Sequence, residues 1–562
     1  MATLNFKGKT FVQNHHLTVK YHQLVPKREK SLTDKISLND NLIIHGDNLK
    51  ALKALLPSYT GKVKCIYIDP PYNTGNERWV YNDNVNSPMM QEWLGKVVDR
   101  EDLTRHDKWL CMMMPRLKLL RELLSEDGVI FVSIDDNEVH HLRMLMDEVF
   151  QGNFVNLFTI KSNPRGSQAS KHIALEHEYL VMYAKNISQT EIVGYSKSED
   201  ELSEYNLIDE KGRKYRLLGL RQRGGAWRRE QRPNLYFPIF VNPENGKVSL
   251  EKSNIFCKKV LPKRPSGEEG RWTWSKEKVK NYIHVLVGKK VSRIGDSDFW
   301  DVFRKDYLES EDGITTTRKP KSIWDEKQLN YQNGRNELKE IFGSSEIFEY
   351  PKPTFLVKKA LQILDLDEEI ILDSFAGSGT TAHAVLDLNK EDGGNRKFIL
   401  VECEDYADKI TAERVRRVIK GVKKAKDEKL KEVLGGTFSY FELGDPIEME
   451  SILEGDKLPS YFELARYIFY TATGEEFAPK KINEKSNFIG ESKEYEVYLF
   501  YKPDIEYLKS TALTLERAKN LGPCKGKKRL IFAPSKYLDT DYLLEYRIDY
   551  CQLPFEIYKL KE

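Results

Sequence analysis

Short apolar runs alternate with stretches whose hydrophobic residues recur at helical spacing, first over about 42–185 and again over about 350–402. Strand followed by helix, repeated, implies βαβ units, and such units build a mostly parallel sheet covered on both faces. Leu42 to His45 and Val63 to Ile68 read as buried strands, with Leu49, Leu52, Leu55 and Leu56 at helical spacing between them. A helix over about 104–125, a strand at Val129 to Ile134, a helix over about 137–149 and a strand at Glu178 to Tyr183 follow. The alternation then fades until about 350. It resumes with a helix from Thr354, a strand at Ile370 to Asp373, a helix from Thr380 and a strand at Lys397 to Val401. One doubly wound α/β sheet interrupted by an insertion is the economical fold.

At 562 residues the chain exceeds what one core sustains, about 250–300 residues. The expected division is an arm over 1–40, halves of one sheet domain over 41–185 and 316–435, an inserted domain over 186–315, and a C-terminal α/β domain over 445–562. A long basic helix over about 406–432 is expected before a Gly435-Gly436 break.

Lys and Arg total 89 against 86 Asp and Glu, a net charge of +3, so a polyanion site must be a local patch. The 40% hydrophobic content excludes a mainly disordered chain. Six scattered cysteines form no CxxC pair, which suits a reducing, cytoplasmic setting. Neither a membrane-length apolar run nor the apolar core of a signal peptide is found, so export and membrane insertion are not expected.

Two segments carry chemistry. Asp69-Pro70-Pro71-Tyr72 follows a buried strand directly. Proline fixes φ and lacks an N–H, so the pair ends the ladder in a stiff, outward-facing turn. A carboxylate and a backbone carbonyl converging there can accept both hydrogens of an exocyclic amino group, while Tyr72 offers a face for a planar base. Two such acceptors favour localising the amino lone pair toward an electrophile.

The second segment, Asp373-Ser374-Phe375-Ala376-Gly377-Ser378-Gly379-Thr380-Thr381, joins a strand to a helix. Its glycines permit close backbone approach, and Glu402 at the end of the next strand is placed to accept from ribose hydroxyls. The GxxxxGK[ST] form of a triphosphate loop is absent. A phosphate-free nucleoside bearing an amine and a carboxylate fits, and S-adenosylmethionine is such a ligand, with Asp373 toward its ammonium.

Taken together, IDPPYNTG (68–75) and DSFAGSGTT (373–381) resemble the amino-methylating DNA methyltransferases, in the motif order of the β group. IHGDNLKALKALLP (44–57), GVIFVSIDDNE (128–138), SNPRGS, EHEYLVMYAK and YPKPTFLVKKAL (350–361) are similar to the modification (Mod) subunit of type III restriction-modification systems. The likeness covers about 40–185 and 315–425. It implies a Rossmann-like methyltransferase fold and transfer of a methyl group from S-adenosylmethionine to adenine N6. It implies that Asp69, Pro70 and Tyr72 hold a flipped adenine, with Pro71 stiffening the turn. Asp373, Phe375, Gly377, Gly379 and Thr381 would line the methionine half of the cofactor, helped by Lys352 and Pro353; Glu402 would take the ribose and Asp47 the cofactor's adenine. Cytosine-N4 members usually carry Ser where this chain has Asp69. The resemblance also implies double-stranded DNA as substrate, a homodimer, and a separate restriction (Res) helicase-nuclease subunit as partner.

The segment KGRKYRLLGLRQRGGAWRREQR (211–232) holds nine basic residues and one acid. Arg221, Arg223, Trp227, Arg228 and Arg229 are the candidate DNA contacts, since arginine suits phosphates and guanine edges alike. The segment lies where the β group carries its target recognition domain. Metal ligation is not expected: His140-His141 and Glu176-His177-Glu178 lack HExxH spacing and are assigned to structure or surface. Pro523-Cys524 matches the nucleophile pair of cytosine-C5 enzymes, but it lies far beyond the cofactor loop and reads as chance. Alternatives to the leading reading are a solitary or cytosine-N4 methyltransferase and a non-catalytic DNA-binding specificity module.

Overall fold

The computed structural model describes residues 4–74, 104–166, 172–264, 266–292, 298–310, 315–447, 458–475, 477–522 and 526–553. Gly75, Ser167 and the Pro523-Cys524 pair lie outside these. The chain divides into two compact units, one of Met1–Ile192 with Lys321–Glu562 and one of Val193–Pro320.

The first unit is built on ten strands: β1 (His22–Pro26), β2 (Leu42–His45), β3 (Val63–Ile68), β4 (Leu124–Ile134), β5 (Phe154–Ile160), β6 (Glu178–Ala184), β7 (Ile323–Trp324), β8 (Ile370–Asp373), β9 (Lys397–Glu402) and β10 (Ser439–Pro446). Their order across the sheet is β1-β10-β2-β9-β8-β3-β4-β6-β5-β7. The run from β10 to β4 is parallel throughout, β1 and β6 are antiparallel to their neighbours, and β7 is parallel to β5. The two stretches of strand-helix alternation therefore share one sheet, with β8 and β9 of the second inserted between β2 and β3 of the first.

Helices α1 (Asn48–Tyr59), α2 (Arg105–Leu123) and α3 (Val139–Phe150) pack in one apolar cluster with Leu372, Ile399 and Val401 of the sheet. Strand residues alternate between faces. Ile371, Phe398 and Leu400, equally buried, thus point to the opposite face, where α4 (Thr354–Leu361), α5 (Thr380–Asp392) and α6 (Glu413–Lys420) pack side by side. Burial on both faces explains why these strands read as unbroken apolar runs.

Three expectations need correction. Residues 4–40 are no loose arm: Leu4, Phe6 and Val12 are buried in the main cluster, and β1 forms the sheet edge against β10. Strand β10, which falls almost wholly in the gap left between the sheet domain and the C-terminal domain, belongs to the main sheet beside β2. The long basic helix is interrupted: a π-helical turn (Ala407–Ala412) leads into α6, which ends at Gly421, φ 77°, before a separate turn at Glu428–Lys431.

Beyond β10, four strands (Phe488–Glu491, Tyr495–Leu499, Lys528–Ala533, Ile548–Gln552) form a sheet whose last three strands are parallel. Helix Tyr461–Thr473 packs on this sheet and on α1. Tyr21 stacks edge-on to Tyr467 of that helix at 4.8 Å.

The second unit is antiparallel. Leu286–Val291, Phe299–Tyr307, Lys214–Gly219 and Leu207–Ile208 form one sheet, and Ile239–Val241 is the centre of a smaller one. Its core surrounds the fully buried Trp272, whose Nε1–H donates to the Phe237 carbonyl at 2.8 Å. Among the described residues, no helix of the chain is long and apolar enough to cross a membrane.

Candidate active site

Strands β3 and β8 pair in parallel, Cys65 with Ile371 and Ile66 with Leu372. The turns that follow them therefore leave the same edge of the sheet side by side, although the whole insertion separates them in sequence. Carboxyl ends of adjacent parallel strands are where open α/β sheets bind ligands.

The Asp69 corner is held from several directions. Buried Trp109 of α2 donates from Nε1 to the Pro71 carbonyl at 2.7 Å. Asn73, at φ 59°, donates from Nδ2 to Glu138 Oε1 at 2.5 Å. Lys352 Nζ lies 3.0 Å from Asp69 Oδ1 and donates to Tyr72 OH at 2.7 Å, and Tyr72 OH in turn donates to Glu178 Oε2 at 2.9 Å. The Lys352 ammonium also sits over the rings of Tyr72 and Tyr331, 4.5 and 4.7 Å from their centroids. Burial pushes the Glu178 carboxyl up to about 7 even though Lys352 opposes the shift. For Lys352 burial works toward the neutral amine, but the charges of Asp69 and Glu178 outweigh it and raise the pKa. Asp69 Oδ1 is thus engaged by the Lys352 ammonium, whereas the buried Glu178 Oε1 has no hydrogen-bond partner.

At the glycine bend, Asp373 Oδ1 accepts from the Phe375 N–H at 3.0 Å and Oδ2 from Thr381 Oγ1 at 2.6 Å. Burial nevertheless pushes its carboxyl up to about 7. Gly377 and Gly379 have φ of 51° and 79°, the left-handed region that side chains resist. Crowding reinforces the requirement, since a Cβ at Gly379 would meet the Thr411 carbonyl at 3.0 Å. Glu402 accepts from the Gly377 N–H at 2.7 Å and from the Glu404 N–H at 3.0 Å, and burial raises its pKa. Asp47 caps α1 by accepting from the Lys50 N–H at 3.0 Å. Beside it, Asn48 accepts from Arg116 and donates to the Ser374 carbonyl at 3.0 Å, tying the end of β2 to the bend. Phe375 is partly buried against the main core. Pro353 precedes α4 as its N-cap residue. The carboxylates Asp47, Asp373 and Glu402 suit an ammonium and hydroxyls rather than a phosphate.

Lys352 joins the two halves. Its side chain reaches the Asp69 corner while its carbonyl accepts from Thr380 Oγ1, at the start of α5, at 3.3 Å.

A family model described as DNA methylase matches residues 63–413, from the start of β3 into α6. The chain belongs to the DNA methylase family. The Mod subunit of the type III restriction-modification enzyme EcoPI, from Escherichia phage P1, is 34% identical over 72% of this chain and 64% of its own length. Type II methyltransferase M.KpnI of Klebsiella pneumoniae is 34% identical over 66% of this chain and 82% of its own. The StyLTI Mod subunit of Salmonella typhimurium is 29% identical over 84% and 70%. The chain thus spans less than two thirds of the phage relative. The matched window of this DNA methylase omits β2 and β10, which complete its parallel sheet.

In the second unit the candidate DNA contacts differ from one another. Arg221 is largely enclosed, donating to the Lys263 carbonyl and lying 4.0 Å from Asp301. Arg229 is paired with Glu269 at 2.6 Å and lies over the Tyr236 ring. Arg223 and Arg228 are exposed, and Trp227 carries the Arg264 guanidinium 3.5 Å from its ring centroid. The basic run is thus partly neutralised by its own unit.

Sequence reasoning missed several groups. Glu178, assigned with its neighbours to structure or surface, is buried against Tyr72 and Lys352; a charged residue opening the apolar strand EYLVMYA was the available signal. Arg414, within the run expected as a long basic helix, is fully buried beneath the glycine bend, donating to Ser378 Oγ, Thr380 Oγ1 and Thr354 Oγ1 at 3.0, 2.9 and 3.0 Å. Nothing in the sequence separates it from Arg416 and Arg417 beside it. His106 of α2 meets Glu138 and His141 of the α3 start next to Asn73.

Proposed function

We propose that this chain transfers a methyl group from S-adenosylmethionine to the N6 amino group of adenine in double-stranded DNA, as the modification and specificity subunit of a type III system. The observation that carries the reading is the Asp69 carboxylate at the carboxyl end of β3, held by the Lys352 ammonium beside the glycine bend of β8. The pairing fixes the carboxylate at the strand end, where the next parallel strand's turn also opens.

The chain's residues suit the cofactor. Asp373, with no cation among its hydrogen-bond partners, is matched to an ammonium, and Ser374 Oγ is buried without a partner. Gly377 and Gly379 admit close approach, with Phe375, Thr381, Lys352 and Pro353 around them, while Glu402 and Asp47 are matched to the ribose and adenine ends. When bound, S-adenosylmethionine supplies an electrophilic methyl on a sulfonium that takes up the C–S electron pair.

The Pro71 carbonyl is occupied by Trp109, which leaves the Pro70 carbonyl and the Asp69 carboxylate as acceptors for the two N6 hydrogens. Holding them orients the nitrogen lone pair, and Asp69 is placed to take the proton that N6 sheds as the new N–C bond forms. Well-oriented pairs gain up to about 7–11 kcal/mol from positioning alone. The base leaves the duplex at a cost of a few kcal/mol, offset in part by stacking on Tyr72, about 1–3 kcal/mol per base. Arg223 and Arg228 are exposed to meet DNA, as is Arg229 apart from its pairing with Glu269, with the half-buried Trp227 and Arg221 supporting that surface.

The resemblance to Mod subunits supports a cytoplasmic homodimer that binds a restriction subunit for cleavage. The test is the Asp69→Ala variant with a methyl-labelled cofactor and mass spectrometry of the digested nucleosides. Wild type should yield N6-methyladenine and the variant none, with cofactor binding within about threefold of wild type. Undiminished methylation by the variant rejects the assignment, and N4-methylcytosine in the wild-type digest replaces adenine by cytosine.

A further inference from the structure

One cluster of ligating side chains stands outside both motifs. His106 at the start of α2, Glu138 in the turn before α3 and His141 within it each present one ligand-type atom, all within 4.8 Å of one another. His106 Nδ1 is 2.5 Å from Glu138 Oε1, and His141 Nδ1 is 2.9 Å from Oε2. Glu138 is wholly buried, whereas the two imidazoles keep 34% and 26% of their side-chain surface open.

Two imidazole nitrogens and a carboxylate, converging, are a donor set of zinc-class divalent ions. Magnesium and calcium take oxygen ligands instead. Metal–ligand bonds of about 2.0–2.1 Å in a tetrahedron place ligands about 3.3 Å apart. The two contacts would open by under an ångström, and the solvent-facing imidazoles are the groups able to give way. Asn73 completes the arrangement by donating to Glu138 Oε1 at 2.5 Å, the kind of outer-shell hydrogen bond that orients a ligating carboxylate. Asn73 directly follows Tyr72 and holds a left-handed backbone, so whatever fixes Glu138 also fixes the turn leaving the Asp69 corner.

We propose that His106, Glu138 and His141 form a zinc-class divalent metal site that anchors the turn after Tyr72 to α2 and α3. The site stands on these residues alone and does not depend on the methyl-transfer reading.

The test uses the full chain, stripped with a chelator and titrated with Zn2+ by equilibrium dialysis and elemental analysis, and in parallel with Co2+ by visible absorption. The expected result is one equivalent bound, with cobalt bands that zinc abolishes. His141→Ala and Glu138→Gln should each weaken binding at least tenfold with an unchanged circular dichroism spectrum, and Asn73→Ala by about 10-fold as an outer-shell change. Absence of stoichiometric zinc on folded wild-type protein overturns the proposal. So does binding that survives intact in both His106→Ala and His141→Ala.

Discussion

Replacing Lys352 by Met removes one cation from between two carboxylates while keeping most of the side-chain volume. In the native protein the ammonium lies 3.0 Å from Asp69 and 3.6 Å from Glu178, with little solvent access. Removing one partner of a buried pair costs about 3–5 kcal/mol, because the remaining charge is left uncompensated. The cost should depend on pH. Lys352 is raised above its ordinary value, so its contribution persists through neutrality and is lost only as pH climbs past that folded value. Glu178 is raised to about 7, so between its unfolded value and about 7 the folded protein holds a proton that the unfolded chain has released, and stability falls as pH rises through that window. Without Lys352 the window extends further upward. The variant should therefore lose less at pH 5.5, where Glu178 is neutral and only the Asp69 pairing is broken, than at pH 8.5, where both carboxylates lose the cation. With an unfolding entropy of about 2.1 cal/mol/K per residue, a unit of this size converts 3–5 kcal/mol into a Tm shift of about 3–6 °C. Differential scanning calorimetry at the two pH values measures it, and adding Glu178→Gln should restore part of the loss at pH 8.5. An equal loss at both pH values, or a double variant no better than Lys352→Met, would refute the electrostatic reasoning and leave only packing.

Gly379→Ala should cost about 1–3 kcal/mol from the left-handed backbone, since φ is 79° and the Thr411 carbonyl crowds the new methyl; thermal denaturation reads the loss, and an unchanged Tm would show that the bend can relax. Because Asp373 ionises only near 7, affinity for a cationic cofactor should fall by up to about tenfold per pH unit below that value, and Asp373→Asn should flatten the profile in calorimetric titrations. Arg414→Met should destabilise the chain by about 3–5 kcal/mol, since Glu337 would lose its buried partner beside the bend; the variant's Tm and cofactor affinity should drop together.

Legibility tracked the range of the interaction. Both motifs were visible because each is local: a strand, a turn that proline or glycine alone permits, and the acid that turn presents. The parallel sheet was visible because burial on both faces imposes apolar runs such as LIIH and VKCIYI. Strand β1 was not, since an edge strand beginning HQL carries no pattern that distinguishes it from a loop, and β10 lies just past the double glycine and ends in the polar ELGDP. In the basic run before it, charge content alone could not show that Gly421 ends α6 or that Arg414 turns inward.

The sequence by itself determined the chemistry on offer: a stiff acidic corner, a glycine bend, and a sheet folded from two separated stretches. Only the tertiary structure decided who stands beside whom. It set β8 against β3, swung Lys352 across to Asp69, buried Glu178 under Tyr72 and gathered His106, Glu138 and His141 next to Asn73. Residue type and spacing report a residue's relation to its chain neighbours, whereas these contacts join strands and helices far apart in sequence, and whether a charge is desolvated or paired depends on which elements the folded sheet brings together.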